Sequence, residues 1–266
     1  MPLTSTMERT LDAGNVKRKN HSSLVFVRSR KCCCSQKTIE LYGDRHTIRV
    51  INNPVEEEDV DNRRFLQDVE RWIERPIEIA KNKNFPKASA REVWAQRSYM
   101  AGITGAPCTY ELKKIARQQW EEKNKPDFHI LGFTYDEIER SEWFKTTERS
   151  NLIPVLIRQK ITKGDCFRIV SEAGIRLPDI YLRGYPNANC IGCVKATSAT
   201  YWNHVRKQDP EVFQDRAKQS RQIGAKLARY KGVRMFLDEL PEDAKGASLK
   251  NMNFECGIFC EEKPPQ

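Results

Sequence analysis

Residues 183–193 read Arg-Gly-Tyr-Pro-Asn-Ala-Asn-Cys-Ile-Gly-Cys, a turn-rich stretch that ends in two thiols, Cys190 and Cys193. Gly184 and Pro186 interrupt helices and strands, so the stretch is predicted to be a loop. Two cysteines with two residues between them can point both sulfurs at one centre. The loop is therefore expected to serve a metal ion, an iron–sulfur cluster or a disulfide.

Length and composition limit the class of protein. The chain has 266 residues, of which 39% are hydrophobic and 31% charged, and this suits one sizeable domain or two small ones. No run approaches the roughly 18 apolar residues of a membrane span, and the N-terminus has no apolar stretch long enough for a secretory signal. A cytoplasmic location without a membrane partner is expected. In a reducing compartment the nine cysteines are more often ligands, catalytic thiols or buried small side chains than disulfides.

The net charge of +10 is spread unevenly along the chain. Residues 1–37 carry eight basic and two acidic side chains, a net of +6, which leaves +4 for residues 38–266. Excess positive charge favours nucleic acid or a small polyanion as the partner. Apart from Leu24–Val27, residues 1–37 lack helical or alternating periodicity, and they are predicted to form a basic, poorly ordered arm.

Strand and helix patterns alternate after this arm. Thr47–Ile51 is β-branched and predicts a strand, and Phe128–Phe133 predicts a strand that is buried on both faces. Between them, Asp61 to about Arg75 carries apolar residues at helical spacing. The alternation predicts an α/β domain with a parallel sheet over residues 38–230, followed by a C-terminal tail at 231–266.

Further patterns concern single segments. Leu152–Ile157 is predicted to be extended, and Pro210–Tyr230 to be helical. A basic amphipathic helix is predicted to follow Cys108. On the predicted helix Lys163–Ala173, Cys166 shares a face with apolar residues, so it is interpreted as a core residue.

Four short motifs occur in a fixed order over about residues 38–260. They are Pro107-Cys108 before a basic helix, Gly132-Phe-Thr-Tyr-Asp136-Glu137…Arg140 after a predicted strand, Gly184-Tyr185-Pro186 before Cys190-Ile-Gly-Cys193, and Glu255-Cys256-Gly257-Ile258 near the end. In this order they resemble the motifs of the phosphoadenosine phosphosulfate (PAPS) and adenosine phosphosulfate (APS) reductases. That family belongs to the adenine nucleotide alpha-hydrolase-like superfamily.

The resemblance implies a Rossmann-like parallel sheet flanked by helices, with a cysteine-bearing C-terminal tail. It also implies that Cys256 is catalytic, because a thiolate is the nucleophile that attacks the sulfur of a sulfonucleotide. A thiol reductant such as thioredoxin would then be a partner. The adenine nucleotide needs cations and polar groups around its phosphates and sulfate. The candidates are Lys113, Lys114, Asp136, Glu137 and Arg140, with a solvated helix face as the other interpretation of the two lysines.

The cluster-bearing branch of that family holds a [4Fe-4S] cluster on four cysteines. Cys108, Cys190 and Cys193 match three of them. Thr109 stands where the family has a second adjacent cysteine, and Cys260 is the obvious replacement ligand.

Two alternatives to the cluster stay open. One is zinc on Cys190, Cys193, Cys256 and Cys260, which would consume the nucleophile, and the other is a set of free thiols. Phe259 stands where the tail motif usually has histidine, a departure that weighs against authentic sulfonucleotide reduction.

The superfamily's Ser-Gly-Gly-type phosphate loop is missing from residues 1–46. In such a loop, backbone amides at a helix N-terminus cradle the anion. Residues 24–36 occupy the expected position, and codons exist for them that, read one base later, encode Trp-Phe-Ser-Cys-Gly-Ala-Ala-Ser-Ala-Val-Ala-Ala-Lys. We interpret residues 24–36 as a frameshifted translation, which makes Cys32, Cys33 and Cys34 accidental. A metal-binding triplet is disfavoured, because three adjacent cysteines do not converge easily on one ion.

The main functional prediction is a PAPS/APS reductase-like enzyme whose activity is impaired by the missing phosphate loop. One alternative is an enzyme of sulfur transfer or nucleotidyl activation that acts on nucleic acid. The other is a zinc-stabilised nucleic-acid-binding protein.

Overall fold

A computed structural model describes residues 22–26, 32–102 and 105–249. This part of the chain divides into two compact units, each assembled from separate segments. The first unit holds the described residues up to Asn52, with Arg63–Ala80 and Trp120–Leu177. The second holds Asn53–Asn62, Lys81–Gln119 and the described residues from Pro178 onward.

The first unit is built on a five-stranded sheet in which every neighbouring pair of strands is parallel. The strands are β1 Ser22–Phe26, β2 Thr47–Asn52, β3 Ile77–Ile79, β4 Phe128–Ile130 and β5 Leu152–Ile153. Their order across the sheet is β3-β2-β1-β4-β5, so β1 is the central strand. The prediction of an α/β fold with a parallel sheet is confirmed.

Helices connect the strands and continue through the second unit. In chain order they are α1 Cys32–Tyr42, α2 Asp61–Ile73, α3 Ala90–Arg97, α4 Pro107–Thr109, α5 Ala116–Asn124, α6 Ile138–Thr147, α7 Val155–Arg158, α8 Lys163–Glu172, α9 Asp179–Leu182, α10 Ala199–Gln208 and α11 Pro210–Ile223. A π-helical stretch, Tyr110–Ile115, joins α4 to α5. Short 3-10 turns occupy Tyr135–Glu137 and Leu237–Glu239.

Apolar spacing explains the core of the first unit. Val50 and Ile51 are fully buried on β2, as expected for a parallel strand covered on both faces. Helix α2 buries Phe65, Val69 and Ile73, which recur every four residues and form one stripe. Helix α1 packs on β1 and β2 and against α7 and α8.

Two elements fall inside the segment that the sequence predicts to be an arm. Strand β1 pairs with β2 and β4, and α1 buries Cys32, Cys33 and Cys34 completely. The α/β unit therefore begins before residue 37. The segment lacks a helical or alternating apolar pattern, but main-chain pairing of strands and burial of small side chains do not require one. The rest of the predicted arm, residues 1–21 and 27–31, lies outside the described residues, as does the tail from residue 250.

The second unit is mainly helical. Its core contains Trp94, Tyr201 and Trp202, each at most 1% exposed, together with apolar residues of α10 and α11. A two-stranded antiparallel hairpin follows α11, with strands β6 Ala228–Tyr230 and β7 Val233–Met235.

Two segment predictions need correction. Helix α11 ends at Ile223 rather than continuing to Tyr230, because Gly224 adopts a left-handed φ of 79° and terminates it. The extended run predicted at Leu152–Ile157 stops at Ile153, since α7 begins directly after Pro154. Among the described helices, none is long and apolar enough to cross a membrane.

Candidate functional site

The loop from Arg183 to Cys193 lies in the second unit and is held by the acidic segment that precedes α2. Cys190 forms an antiparallel bridge with Glu58, and the Ile191 amide donates to the Glu57 carbonyl at 3.0 Å. Gly192 has a φ of 66°, and a Cβ there would lie 3.1 Å from Val212. Glycine is therefore required between the two thiols both by backbone conformation and by close packing.

Charge anchors the beginning of the loop. The Arg183 guanidinium bonds Asp209 Oδ1 at 2.5 Å and also bonds Asp59 Oδ2. Burial lowers the pKa of Arg183, but the hydrogen bond and charge of Asp209 together with the charge of Asp59 outweigh it, so the pKa is raised. Tyr185 donates to Asp209 Oδ2 at 2.5 Å. The Gly-Tyr-Pro lead-in is thus a fixed support for the two thiols.

Both thiols are buried beside a buried phenol. Cys190 is 9% and Cys193 6% exposed. The Cys193 amide donates to the Tyr201 hydroxyl at 2.9 Å. Burial, and next the charge of Cys193, raises the pKa of Tyr201 well above its ordinary value. Tyr201 therefore stays protonated and keeps a hydroxyl dipole next to the thiol pair.

A buried cation faces the same loop. Arg216 on α11 is 2% exposed, its Nε donates to the Gly192 carbonyl at 3.3 Å, and its guanidinium lies 4.6 Å from the Trp94 ring centroid. Burial lowers the pKa of Arg216, while the charges of Glu57 and Cys190 oppose that effect. A cation near a thiol favours the thiolate, which is both the nucleophile and the metal ligand.

A pocket of about 480 Å³ opens beside Ile191. Charged residues dominate its lining, among them Glu57, Arg91 and Arg216. The Glu57 carboxylate accepts from the Ser89 hydroxyl at 2.7 Å and from the Arg91 amide at 3.0 Å, so it caps the N-terminus of α3. The acidic segment therefore positions both the helix and the thiol loop.

The predicted metal ligands are only partly within the described residues. Cys108 lies on α4, is half-buried, and packs against the apolar cluster that contains Cys190. Within residues 22–26, 32–102 and 105–249, no group of three histidine, cysteine or carboxylate side chains is close enough to hold a metal ion. Cys256 and Cys260 lie outside the described residues. The described donors do not make a metal site by themselves.

The two candidate lysines belong to the helical stretch after Cys108. Lys113 is 1% exposed, and its Nζ bonds the Asn53 carbonyl and, at 3.2 Å, Glu58. Lys114 is half-buried, and its Nζ lies 5.8 Å from the Tyr110 ring centroid. The positive charge of this stretch is therefore largely turned inward.

The other nucleotide-binding candidates lie in the first unit, just after β4. Asp136 accepts from the Lys163 amide at 2.9 Å and caps α8. Glu137 accepts from the Thr134 amide at 3.1 Å and bonds Arg140 at 2.7 Å. The acidic residues of the motif thus accept hydrogen bonds from nearby backbone amides, and Glu137 also pairs with Arg140. The sequence alone does not reveal these bonds.

The topology marks one further location in the first unit. The strand order reverses between β1 and β4, and open parallel sheets bind ligands outside the carboxyl ends of the strands at such a switch point. Those ends are Phe26 and Ile130, and α1 begins a few residues after the first. The sequence indicates that the superfamily's phosphate loop, which this chain lacks, would lie at this point. Residues 27–31 of this segment lie outside the described residues.

Sequence reasoning missed several residues. Nothing in the sequence around Arg216 or Tyr201 indicates a role at the site, because each contacts the thiol loop only in the folded chain. Cys166 is buried as predicted, but its Sγ lies 2.7 Å from Cys33 Sγ. The hydrogen bond with Cys166, and then burial, raises the pKa of Cys33. The Cys33 thiol is therefore neutral in the folded chain.

No protein-family model and no curated protein matches the chain. Among solved structures, the fold is similar to that of the U34-tRNA thiolase NcsA from Methanococcus maripaludis with its [4Fe-4S] cluster. The identity is 12% and the TM-score 0.41, over 81% of this chain and 73% of that chain. The residues of the site itself therefore have to support any function assigned to the chain.

Proposed function

We propose that the protein is a sulfur-transfer enzyme that modifies an adenylylated position in nucleic acid, with Cys190 and Cys193 as its working thiols. The proposal rests on the residues that surround this pair of thiols. The two thiols, with two residues between them, lie on a loop fixed by charge, and both the buried Arg216 guanidinium and the Tyr201 hydroxyl bond the backbone of that loop.

The proposed reaction replaces a base oxygen by sulfur. The base oxygen takes the adenylyl group of ATP, and pyrophosphate leaves. A persulfide on Cys190, loaded by a persulfide donor, attacks the activated carbon, and AMP departs with the oxygen. Cys193 thiolate then attacks the Cys190 sulfur of the resulting mixed disulfide. The product keeps the transferred sulfur, the Cys190–Cys193 disulfide forms, and a thiol reductant reduces it.

The surroundings of the candidate cations favour a nucleic-acid acceptor over a small sulfonucleotide. Lys113 is buried against Glu58, and Arg140 is bonded to Glu137. Both charges are already matched by carboxylates within the chain, whereas a small polyanion needs cations directed at it. The net charge of +10 suits a polyanionic macromolecule.

Sulfonucleotide reduction is the second candidate, and the Glu255-Cys256-Gly257-Ile258 motif favours it. In that reaction Cys256, rather than the pair at 190 and 193, is the nucleophile. An iron–sulfur cluster on Cys108, Cys190, Cys193 and Cys260 is compatible with reduction by Cys256, whereas the proposed sulfur transfer needs Cys190 and Cys193 as thiols that hold no iron. Anaerobically purified protein with a broad absorbance near about 400 nm would support the cluster, and colourless protein with stoichiometric zinc would support the zinc alternative.

One experiment separates the two reactions. The purified chain is given ATP, a persulfide donor and unmodified tRNA, and the digested RNA is searched for thionucleosides by mass spectrometry. Thionucleosides that vanish in Cys190→Ser and Cys193→Ser, but persist in a Cys166→Ala control, support sulfur transfer. Sulfite from PAPS and a thiol reductant, lost only in Cys256→Ser, supports reduction instead. Absence of thionucleosides with the intact chain, under conditions where ATP binds, contradicts the proposal.

A further inference from the structure

The hairpin of β6 and β7 carries a dense group of cations. Residues 226–236 read Lys-Leu-Ala-Arg-Tyr-Lys-Gly-Val-Arg-Met-Phe, with four cations and no carboxylate. This charge of +4 equals the net charge of the whole stretch 38–266, so the rest of that stretch sums to zero. Lys226, Arg229, Lys231 and Arg234 are all exposed. The hairpin is therefore a concentrated source of positive potential on the second unit.

Two of the cations face each other across the strands. Arg229 is directly opposite Arg234 in the antiparallel register. Residues paired in this way share one face of the hairpin, and like charges at such positions destabilise it. Burial, and then the charge of Arg229, lowers the pKa of Arg234. An anion placed between the two guanidinium groups would remove this repulsion.

The carboxylates that follow the hairpin in the chain are already paired with another cation. Asp238 and Glu239 follow the hairpin, and both bond Arg221 on α11, at 2.9 Å and 2.7 Å. Within the described residues no carboxylate pairs with Lys226, Arg229, Lys231 or Arg234. These side chains instead contact aromatic rings and a carbonyl: the Lys231 ammonium lies 5.2 Å from the Tyr230 ring centroid, and Arg234 donates to the Leu227 carbonyl at 3.3 Å.

The hairpin has a defined shape. Lys231 and Gly232 form its two-residue turn, and both have positive φ, 48° and 80°. The base is fixed, because Leu227 and Ala228 are buried and the Arg229 amide donates to the Thr197 carbonyl at 2.7 Å. The guanidinium pair is therefore presented on an ordered ribbon, and planar guanidinium groups bind phosphate through two parallel hydrogen bonds.

We propose that the β6–β7 hairpin is the surface that binds the phosphate backbone of the nucleic-acid substrate. One phosphate lies between Arg229 and Arg234, and Lys226 and Lys231 contact its neighbours. This inference deepens the proposed function and rests on it for the identity of the partner as nucleic acid. Such contacts fix the position of the strand and carry no sequence information directly.

The test measures binding of the full chain to a labelled single-stranded RNA of about 20 nucleotides and to unmodified tRNA. We expect Arg229→Gln/Arg234→Gln to raise Kd about tenfold at about 50 mM salt. The salt dependence should also fall by about 0.7 in slope, as expected for the loss of one phosphate contact to a single strand. The double variant Arg229→Lys/Arg234→Lys keeps the charge and should recover most of the affinity.

The matched control is Lys207→Gln/Lys218→Gln, which removes two exposed cations from α10 and α11 and lowers the net charge equally. It should change Kd less than about twofold. Equal weakening by the two double variants, or no weakening by the first, overturns the inference. Hairpin-dependent binding to phosphatidylserine vesicles but not to RNA overturns it in favour of a membrane surface.

A second measurement does not depend on the variants being folded. In the unaltered chain, bound RNA should protect Arg229 and Arg234, but not Arg168, from phenylglyoxal. Unprotected hairpin arginines at saturating RNA overturn the inference. Neither measurement uses ATP or a sulfur donor. RNA binding and thiol chemistry on free substrates are therefore measured separately. Failure of this inference is thereby distinguished from failure of the proposed function.

Discussion

The phenol of Tyr185 donates a 2.5 Å hydrogen bond to Oδ2 of Asp209, the residue directly before α11. Tyr185 is 4% exposed, and burial followed by this hydrogen bond raises its pKa. The same carboxylate binds Arg183 through its other oxygen. One aspartate therefore ties the start of the thiol loop to the helix that carries Arg216.

We expect Tyr185→Phe to lower the free energy of unfolding by about 2 kcal/mol, because a buried hydrogen bond to a charged group is lost. Urea unfolding followed by circular dichroism measures the change. Tyr230→Phe is the matched control, since Tyr230 is half-exposed, and it should change stability by less than about 0.5 kcal/mol. An equal change in both variants would contradict a special role for the bond with Asp209.

Arg216 should control the reactivity of Cys190. In Arg216→Met the positive charge is lost, so the thiolate is less favoured and the midpoint of alkylation should move about one pH unit higher. Rates of iodoacetamide labelling at the Cys190 peptide, measured by mass spectrometry across pH, give this midpoint. Arg221→Met on the same helix is exposed and paired with Asp238, and it should leave the midpoint in place. A midpoint that does not move in Arg216→Met would remove Arg216 from the mechanism.

Stability should fall as the pH is lowered through about 6.5. Burial lowers the pKa of His204, whose ring centroid lies 4.7 Å from that of Tyr185. The unfolded chain therefore binds a proton near pH 6.5 that the folded chain takes up only at lower pH, and the unfolded state gains stability in that interval. A hydrogen bond with the Arg183 backbone and the charge of Asp209 oppose this lowering of the His204 pKa, while the charges of Lys207 and Arg183 reinforce it.

His204→Gln should remove part of this pH dependence. One fully buried group would contribute at most about 1.4 kcal/mol per pH unit, and His204 is half-buried, so its contribution is smaller. Urea unfolding of both proteins at pH 7.5 and 5.5 measures the difference. Parallel pH profiles for the two proteins would show that His204 is not the group responsible.

Patterns that repeat locally were predictable. The burial of Val50 and Ile51 follows from a β-branched run, and the stripe of Phe65, Val69 and Ile73 follows from helical spacing. The end of α11 was not predicted, because a helix-favouring composition continues past Gly224 and only the left-handed backbone there ends it.

Long-range contacts were not predictable from one sequence. Arg183 and Asp59 are 124 residues apart, and nothing in either neighbourhood indicates that they pair. The basic stretch after Cys108 predicts an exposed cationic face, but Lys113 is buried because Glu58 and the Asn53 carbonyl receive its charge. The four-thiol set of Cys108, Cys190, Cys193 and Cys260 stays a prediction, since Cys260 lies outside the described residues.

The frameshift hypothesis makes a prediction about residues 24–36. Restoring Trp-Phe-Ser-Cys-Gly-Ala-Ala-Ser-Ala-Val-Ala-Ala-Lys replaces Cys32-Cys33-Cys34 with Ala-Val-Ala. All three positions are 0% exposed on α1, and Cys33 packs against Cys166, so small apolar residues fit there. The restored chain should fold at least as stably as the original.

The same replacement places a glycine-containing Ser-Cys-Gly-Ala-Ala-Ser loop between β1 and α1, at the switch point of the sheet. Calorimetry with ATP should therefore detect binding by the restored chain and at least tenfold weaker binding by the original chain. The control replaces Cys32-Cys33-Cys34 with Ala-Val-Ala and leaves residues 24–31 unchanged, so it should fold like the restored chain without gaining affinity. Equal ATP binding by all three proteins would contradict the hypothesis, as would a coding DNA that cannot encode the loop in the shifted frame.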